Sequence, residues 1–216
     1  MHMVCDVELG ADILAANKRI AEDNEKLLKK HNVRAFDFLG AIGSGKTLLI
    51  EKLADILHQR GLKCAAIAGD VTGDDDYKRF KAHGMQVHNV NTGKECHLDA
   101  HMVDHALEHL NLEEIDVLFI ENVGNLVCPA DFPLGSEEQI TIVSVTEGDD
   151  MIRKHPVLMG TSDIIVVNKM QLAEIMEIDT NVLRVDAAKV NPHTPVVFTD
   201  ARQETGLNEL LAAMGL

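Results

Sequence analysis

Positive charge is the first shortage in this sequence: 20 Lys and Arg stand against 35 Asp and Glu among 216 residues, a formal net charge of −15. That balance argues against nucleic acid as a partner, because phosphate backbones are held by clustered cations and repel a surface of this sign. Long apolar runs are missing as well. None approaches the roughly 20 residues that cross a bilayer, and the opening MHMVCDVELG lacks a signal peptide's apolar stretch, so no membrane insertion and a cytoplasmic location are expected. Cysteines are few, at positions 5, 64, 96 and 128, far apart and without a C-x-x-C pair, so thiols or metal ligands are expected rather than disulfides. Tryptophan is absent and tyrosine occurs once. No internal repeat, low-complexity tract or long linker divides the chain. What remains, 46% hydrophobic and 25% charged, is the composition of a globular protein of a length that one domain can bury around a large core.

Residues 11–31 read as a helix, with Ile13, Leu14, Ile20, Leu27 and Leu28 apolar among dense charge. It is expected to cap the domain or to pack on a partner chain, giving a helical segment over 1–32 and a single domain over 33–216. Short apolar strands then alternate with helices: strands at 33–39, 63–68, 86–90, 116–121, 139–145, 163–168 and 195–198, and helices at 48–59, 77–82, 97–110 and 207–214. The alternation predicts an α/β fold, a mostly parallel sheet covered by helices on both faces.

Between the first strand and its helix lies GAIGSGKT, residues 40–47, which fits the phosphate-loop pattern G-x-x-x-x-G-K-[ST] in full. Gly43, Ser44 and Gly45 turn backbone N–H groups toward phosphate oxygens, Lys46 reaches the β- and γ-phosphates, and Thr47 offers a hydroxyl to Mg²⁺. The chain is therefore expected to bind a nucleoside triphosphate. Asp70, in AGDVTGDDD, and Glu121, ending VLFIE, stand at strand ends where further magnesium ligands belong. Of the acidic run Asp74, Asp75 and Asp76, Asp75 is favoured as the residue that positions the attacking water, beside Lys46 as the catalytic cation. The bland alternative is a solvated helix cap. No internal arginine finger is evident; Arg153 and Lys154, in a charged loop over 147–156, are candidates to act across a dimer, against a plain surface role.

Asn168-Lys169-Met170-Gln171 resembles the N-K-x-D element by which GTPases read guanine, with Gln171 in place of Asp. Asn168 would brace the loop and Lys169 pack under the ring. Asp179 is a second candidate to approach the base. TDAR at 199–202 resembles the S-A-K element and places Ala201 at the base.

Cys96 and His97, at the start of the helix expected over 97–110, and Cys128, seven residues beyond Glu121, are ligand types that Ni²⁺ and Zn²⁺ accept. A parallel sheet brings both loops to the strand edge that carries the phosphate loop. His97, His101, His105 and His109 recur every fourth residue, which reads as a solvated stripe or as a weak metal relay feeding His97. Cys64 reads as a buried, inert thiol.

GAIGSGKT, GDVTGDDD, CHLDA at 96–100 and above all ENVGNLVCP at 121–129 make the sequence similar to the nickel-inserting GTPases of hydrogenase maturation, the HypB family, relatives of the urease accessory GTPases. The resemblance implies a P-loop NTPase fold of the SIMIBI class, slow GTP hydrolysis with Mg²⁺, and GTP-dependent homodimerisation. It also implies Ni²⁺ or Zn²⁺ at Cys96, His97 and Cys128, and transfer of nickel to the hydrogenase large subunit with other maturation proteins. Some members carry an N-terminal cysteine-rich nickel motif and a histidine tract; here only His2 and Cys5 stand in that region. A urease-type nickel-insertion GTPase, an ATP-dependent kinase or ligase of the same fold, and a metal-storage protein remain as alternatives.

Overall fold

The computed structural model describes residues 2–216, with side chains from Ala11 onward; His2 and Cys5 side chains lie outside the described residues. Seven strands form one sheet: β1 (Arg34–Gly40), β2 (Cys64–Asp70), β3 (Gln86–Asn91), β4 (Val117–Glu121), β5 (Glu138–Ser144), β6 (Ile164–Asn168) and β7 (Val196–Phe198). Their order is β3-β2-β4-β1-β5-β6-β7 and every pair is parallel. The five inner strands are buried along nearly their whole length because helices cover both faces. β3, an edge strand, is polar and only half buried.

Alternate residues of each strand serve opposite faces. Phe36, Phe38, Phe119, Ile140 and Ile142 pack under Leu49, Ile50 and Leu53 of α2 (Lys46–Gln59) and under Leu207, Leu210 and Leu211 of the C-terminal helix. Phe38 meets Phe119 edge-on at 5.7 Å. On the other face Ala35, Ala65, Ile67, Leu118 and Ile120 are covered by Leu28 of α1 (His2–Lys30) and by Val103, Ala106 and Leu107 of the helix Ala100–Leu107. In chain order the remaining helices are α3 (Asp75–Ala82), α4 (Ala100–Leu107), α5 (Met151–Lys154), α6 (Pro156–Thr161), α7 (Thr180–Val190) and α8 (Leu207–Ala213).

Of the two packings expected for α1, the structure shows the cap. Asn17 donates to Pro133 O and accepts from Ala100 N, while Asn24 donates to Ala100 O and Leu134 O. Two asparagines thus pin α1 to the start of α4 and to the 133–134 segment. Among the described residues no helix is long and apolar enough to cross a membrane.

Three element expectations are corrected. α4 begins at Ala100 rather than at 97, because Asp99 caps it by accepting from Met102 N, which leaves Cys96 and His97 on the preceding loop. The segment 147–156 is a capped turn followed by short helices. α7, not anticipated, starts at an aspartate cap that the apolar pattern does not reveal.

In a parallel sheet the chain leaves every strand at the same edge. Chain connections diverge to both sides of β1, so a crevice opens above Gly40, the position where α/β folds bind ligands.

Candidate nucleotide and metal site

The phosphate loop runs from Gly40 to Thr47 and opens α2. Gly45 takes φ +101 at the helix start, and a Cβ there would lie 2.4 Å from Asn168 Nδ2, so only glycine fits. Lys46 is buried and donates to Gly40 O (3.0 Å) and Ala41 O (3.2 Å). Burial lowers its pKa, with the Glu121 carboxylate opposing. Thr47 Oγ1 donates to Glu121 Oε1 at 2.9 Å, while the buried Glu121 Oε2 has no partner. Burial pushes Glu121 up to about 7 against the pull of Lys46. An unpaired buried carboxylate oxygen beside a threonine hydroxyl is the donor set a hard divalent cation takes, and Asp70 lines the same cavity of about 370 Å³.

Asp75 is exposed at the first turn of α3 and does not line that cavity, whereas Asp76 does. The helix turns successive residues by about 100°, which sends Asp75 outward and Asp76 inward. The same helix brings in Arg79, which sequence reading did not single out. Its guanidinium grips the buried Glu51 through two bonds of 2.7 and 2.8 Å and borders both this cavity and the next. Spacing puts Arg79 on the Asp76 face of the helix, three residues on, but its place beside the cavity comes from the tertiary contact with Glu51.

A second cavity of about 450 Å³ adjoins the first across Gly43 and Gly45, lined by Asn168, Lys169, Gln171, Asp200 and Ala201 among others. Asn168 donates to Ser44 O (3.0 Å) and accepts from Thr199 Oγ1 (3.0 Å) and Ala201 N (3.4 Å), joining the phosphate loop to the 199–202 segment. Lys169 sits at φ 62 and its amine reaches Gly43 O. Gln171 Oε1 is buried without a partner. Asp179 is elsewhere: it caps α7, accepting from Asn181 N, and is no part of this cavity. Arg153 is held by Asp186 at 2.8 Å, and Lys154 pairs with Asp150, so both are engaged within the chain.

Cys96, His97 and Cys128 converge, with one ligand atom of each within 4.8 Å of the others. Cys96 Sγ lies 3.7 Å from His97 Nδ1, and the His97 ring packs against Phe132 at 4.1 Å. The adjacent Cys128 thiol raises the Cys96 pKa. Cys64 is buried and pushed up to about 12 by burial, as an inert core thiol should be.

The segment after β4 ties the two centres together. Asn122 accepts from Leu98 N at 2.9 Å, at the foot of the Cys96 loop. Gly124 presses on the phosphate loop so closely that a Cβ would lie 2.9 Å from Ile42 N. Asn125 pairs with Gly40 and donates to Cys96 O at 3.2 Å. Three residues later comes Cys128. The expected single stripe of histidines is not formed, because His97 precedes α4; His105 and His109 turn instead to His88 on β3.

Residues 35–198 match the family model described as CobW/HypB/UreG, nucleotide-binding domain. The chain is 56% identical over 211 residues to the probable hydrogenase maturation factor HypB of Methanocaldococcus jannaschii, covering 98% of this chain and 95% of that protein. Among solved structures, hydrogenase maturation factor HypB from Archaeoglobus fulgidus matches with a TM-score of 0.85 at 43% identity, over 92% of this chain and 96% of that one. HypB from Helicobacter pylori in complex with nickel matches with a TM-score of 0.87 at 31% identity, over 93% and 95%.

Proposed function

The chain belongs to the HypB branch of the CobW/HypB/UreG family, and from this premise we propose that it is a GTP-hydrolysing metallochaperone that delivers nickel during maturation of nickel-iron hydrogenase. One observation carries the reading: the segment 121–128 begins at a carboxylate facing the phosphate cavity, is bonded to the phosphate loop at Gly40, and ends at a thiol of the Cys96, His97 and Cys128 cluster.

In this reading the N–H groups of Gly43, Ser44 and Gly45 cradle the phosphates, and Lys46 exchanges its two carbonyl partners for β- and γ-phosphate oxygens. Thr47, Asp70 and Glu121 hold Mg²⁺, which neutralises phosphate charge when bound. Asp76, inside the cavity, takes the water-positioning role that the sequence suggested for Asp75. Arg79, steadied by Glu51, lies where charge develops on the transferring phosphoryl group.

Lys169 and Ala201 flank the base, and Asn168 braces their loops. Gln171 supplies the acceptor for guanine: its free Oε1 replaces the two oxygens of the usual aspartate. Guanine specificity therefore rests on one bond rather than two.

Nickel is the cargo, with zinc the competing ion. Two thiols and one imidazole leave a tetrahedral ion one ligand short, and a second protomer bound through GTP completes the shell. The acceptors are the hydrogenase large subunit and other maturation proteins.

Parallel calorimetric titrations test the nucleotide half of this reading. GDP should bind at least about tenfold more tightly than ADP, the difference that one hydrogen bond to a buried acceptor provides. Equal affinities, or a preference for ADP, would instead favour an ATP-dependent kinase or ligase.

A further inference from the structure

Three of the eleven histidines meet at the edge of the sheet, away from the cavities that line the phosphate loop. His88 lies in the middle of edge strand β3 and is half buried. His105 is in the last turn of α4, and His109 follows in a turn closed by its own N–H on Ala106 O at 3.1 Å. The four-residue spacing puts these two rings on one side, and packing of α4 on β3 sets them against His88. The His88 and His109 rings stack with centroids 4.6 Å apart and planes 2° from parallel. His105 lies 4.9 Å from His109 and 6.2 Å from His88.

One ring nitrogen from each histidine lies within 4.8 Å of the other two. In a tetrahedral shell with metal–nitrogen bonds of 2.0–2.1 Å the corresponding separation is roughly 3.4 Å, so closing the set takes side-chain rotations that draw the nitrogens together and tilt the His88 and His109 planes out of their parallel stack. His105 and His109 are exposed and free to make them.

We propose that His88, His105 and His109 form a second metal site, which takes a divalent transition ion of borderline softness such as Ni²⁺ or Zn²⁺. Three imidazoles suit these ions and leave a fourth position open to water. The site carries no ligand charge, so it binds more weakly than the thiolate cluster.

Its place in the fold gives it a consequence. β3 and α4 flank the 92–99 loop that carries Cys96 and His97, so an ion bridging strand and helix ties together the two ends of that loop.

Equilibrium dialysis of the GDP-bound full chain against Ni²⁺ alone, with elemental analysis, tests the proposal. The Cys96→Ser/Cys128→Ser variant should retain one nickel per chain, without thiolate-to-metal charge-transfer absorption. Adding His88→Gln or His109→Gln should weaken that ion by at least the roughly 10- to 100-fold that loss of a supporting partner alone costs at metal sites. Adding His193→Gln should leave it unchanged. Unaltered GDP binding shows that each variant is folded. No retained nickel in the double-cysteine variant, or retention that survives His88→Gln and His109→Gln, overturns the site.

Discussion

The connection from β3 through α4 contributes to two clusters of candidate metal ligands, one on its loop and one on the strand and helix that flank that loop, and the two are built from different material. Cys96, His97 and Cys128 stand on loops at the carboxyl edge of the sheet, bonded to the phosphate loop through Asn125 and packed against it at Gly124. His88, His105 and His109 stand on a strand and a helix end, and none of them lines a nucleotide cavity. Soft, charged ligands on a loop can follow the phosphates, whereas neutral ligands on regular structure stay where packing puts them. On the proposed function, nucleotide control of metal would depend on shared backbone, not on ligand chemistry.

The largest effect expected from breaking this arrangement is on hydrolysis. Asp76→Asn should slow single-turnover GTP cleavage by about 100-fold, and Asp75→Asn by no more than about threefold. The thiolate cluster of Asp76→Asn would then stay in its GTP-bound condition while the imidazole cluster is unaffected; the reverse ranking of the two variants would return the role to Asp75.

A smaller effect is expected at the contact itself. In Gly124→Ala the new Cβ meets Ile42 N at 2.9 Å and Ile42 Cα at 3.0 Å, so one backbone has to shift. Chemical denaturation should show a loss of about 1–3 kcal/mol. The nucleotide dependence of the thiolate cluster should shrink with it, and full retention would mean that coupling runs by another route.

The smallest effect is electrostatic. Asp37 is buried beneath the same segment, receives a 3.3 Å bond from Asn122, and is pushed up to about 7 by burial. Between pH 3.8, its ordinary value, and about 7 the folded chain holds a proton that the unfolded chain has released, so stability falls as pH rises through that window. Asp37→Asn removes that contribution. It should be the more stable protein near pH 8 by about 1–3 kcal/mol, with the gain gone below about pH 4. A gain that grows on acidification would contradict the assignment. Glu121, also at about 7, contributes a similar slope that the variant keeps.

Much of this was legible in the sequence because it is local. The phosphate loop and the strand alternation follow from motif and period; the single open edge of a parallel sheet brings the Cys96 and Cys128 loops to one side, and the resemblance names Cys96, His97 and Cys128 as one ligand set. What was not legible depends on how elements turn against one another. Asp75 and Asp76 are indistinguishable until the start of α3 fixes their directions. Arg79 gains its place only when α3 packs beside Glu51. His88 carries no helical periodicity, so nothing in the stripe of His97, His101, His105 and His109 announces it as the partner of His105 and His109 across the sheet edge. α4 starts three residues late because Asp99 caps it, and that cap frees His97 to join the thiols.

Phosphate occupancy is expected to set the geometry of the thiolate cluster through residues 121–128. Ni²⁺ affinity, measured by competition with a chromophoric chelator for the same protein bound to GDP and to a non-hydrolysable GTP analogue, reads this dependence. The two affinities should differ by at least about tenfold, a coupling of about 1.4 kcal/mol, and the difference should vanish in Cys96→Ser/Cys128→Ser. Equal affinities in the two nucleotide states would mean that the cluster does not respond to the phosphates.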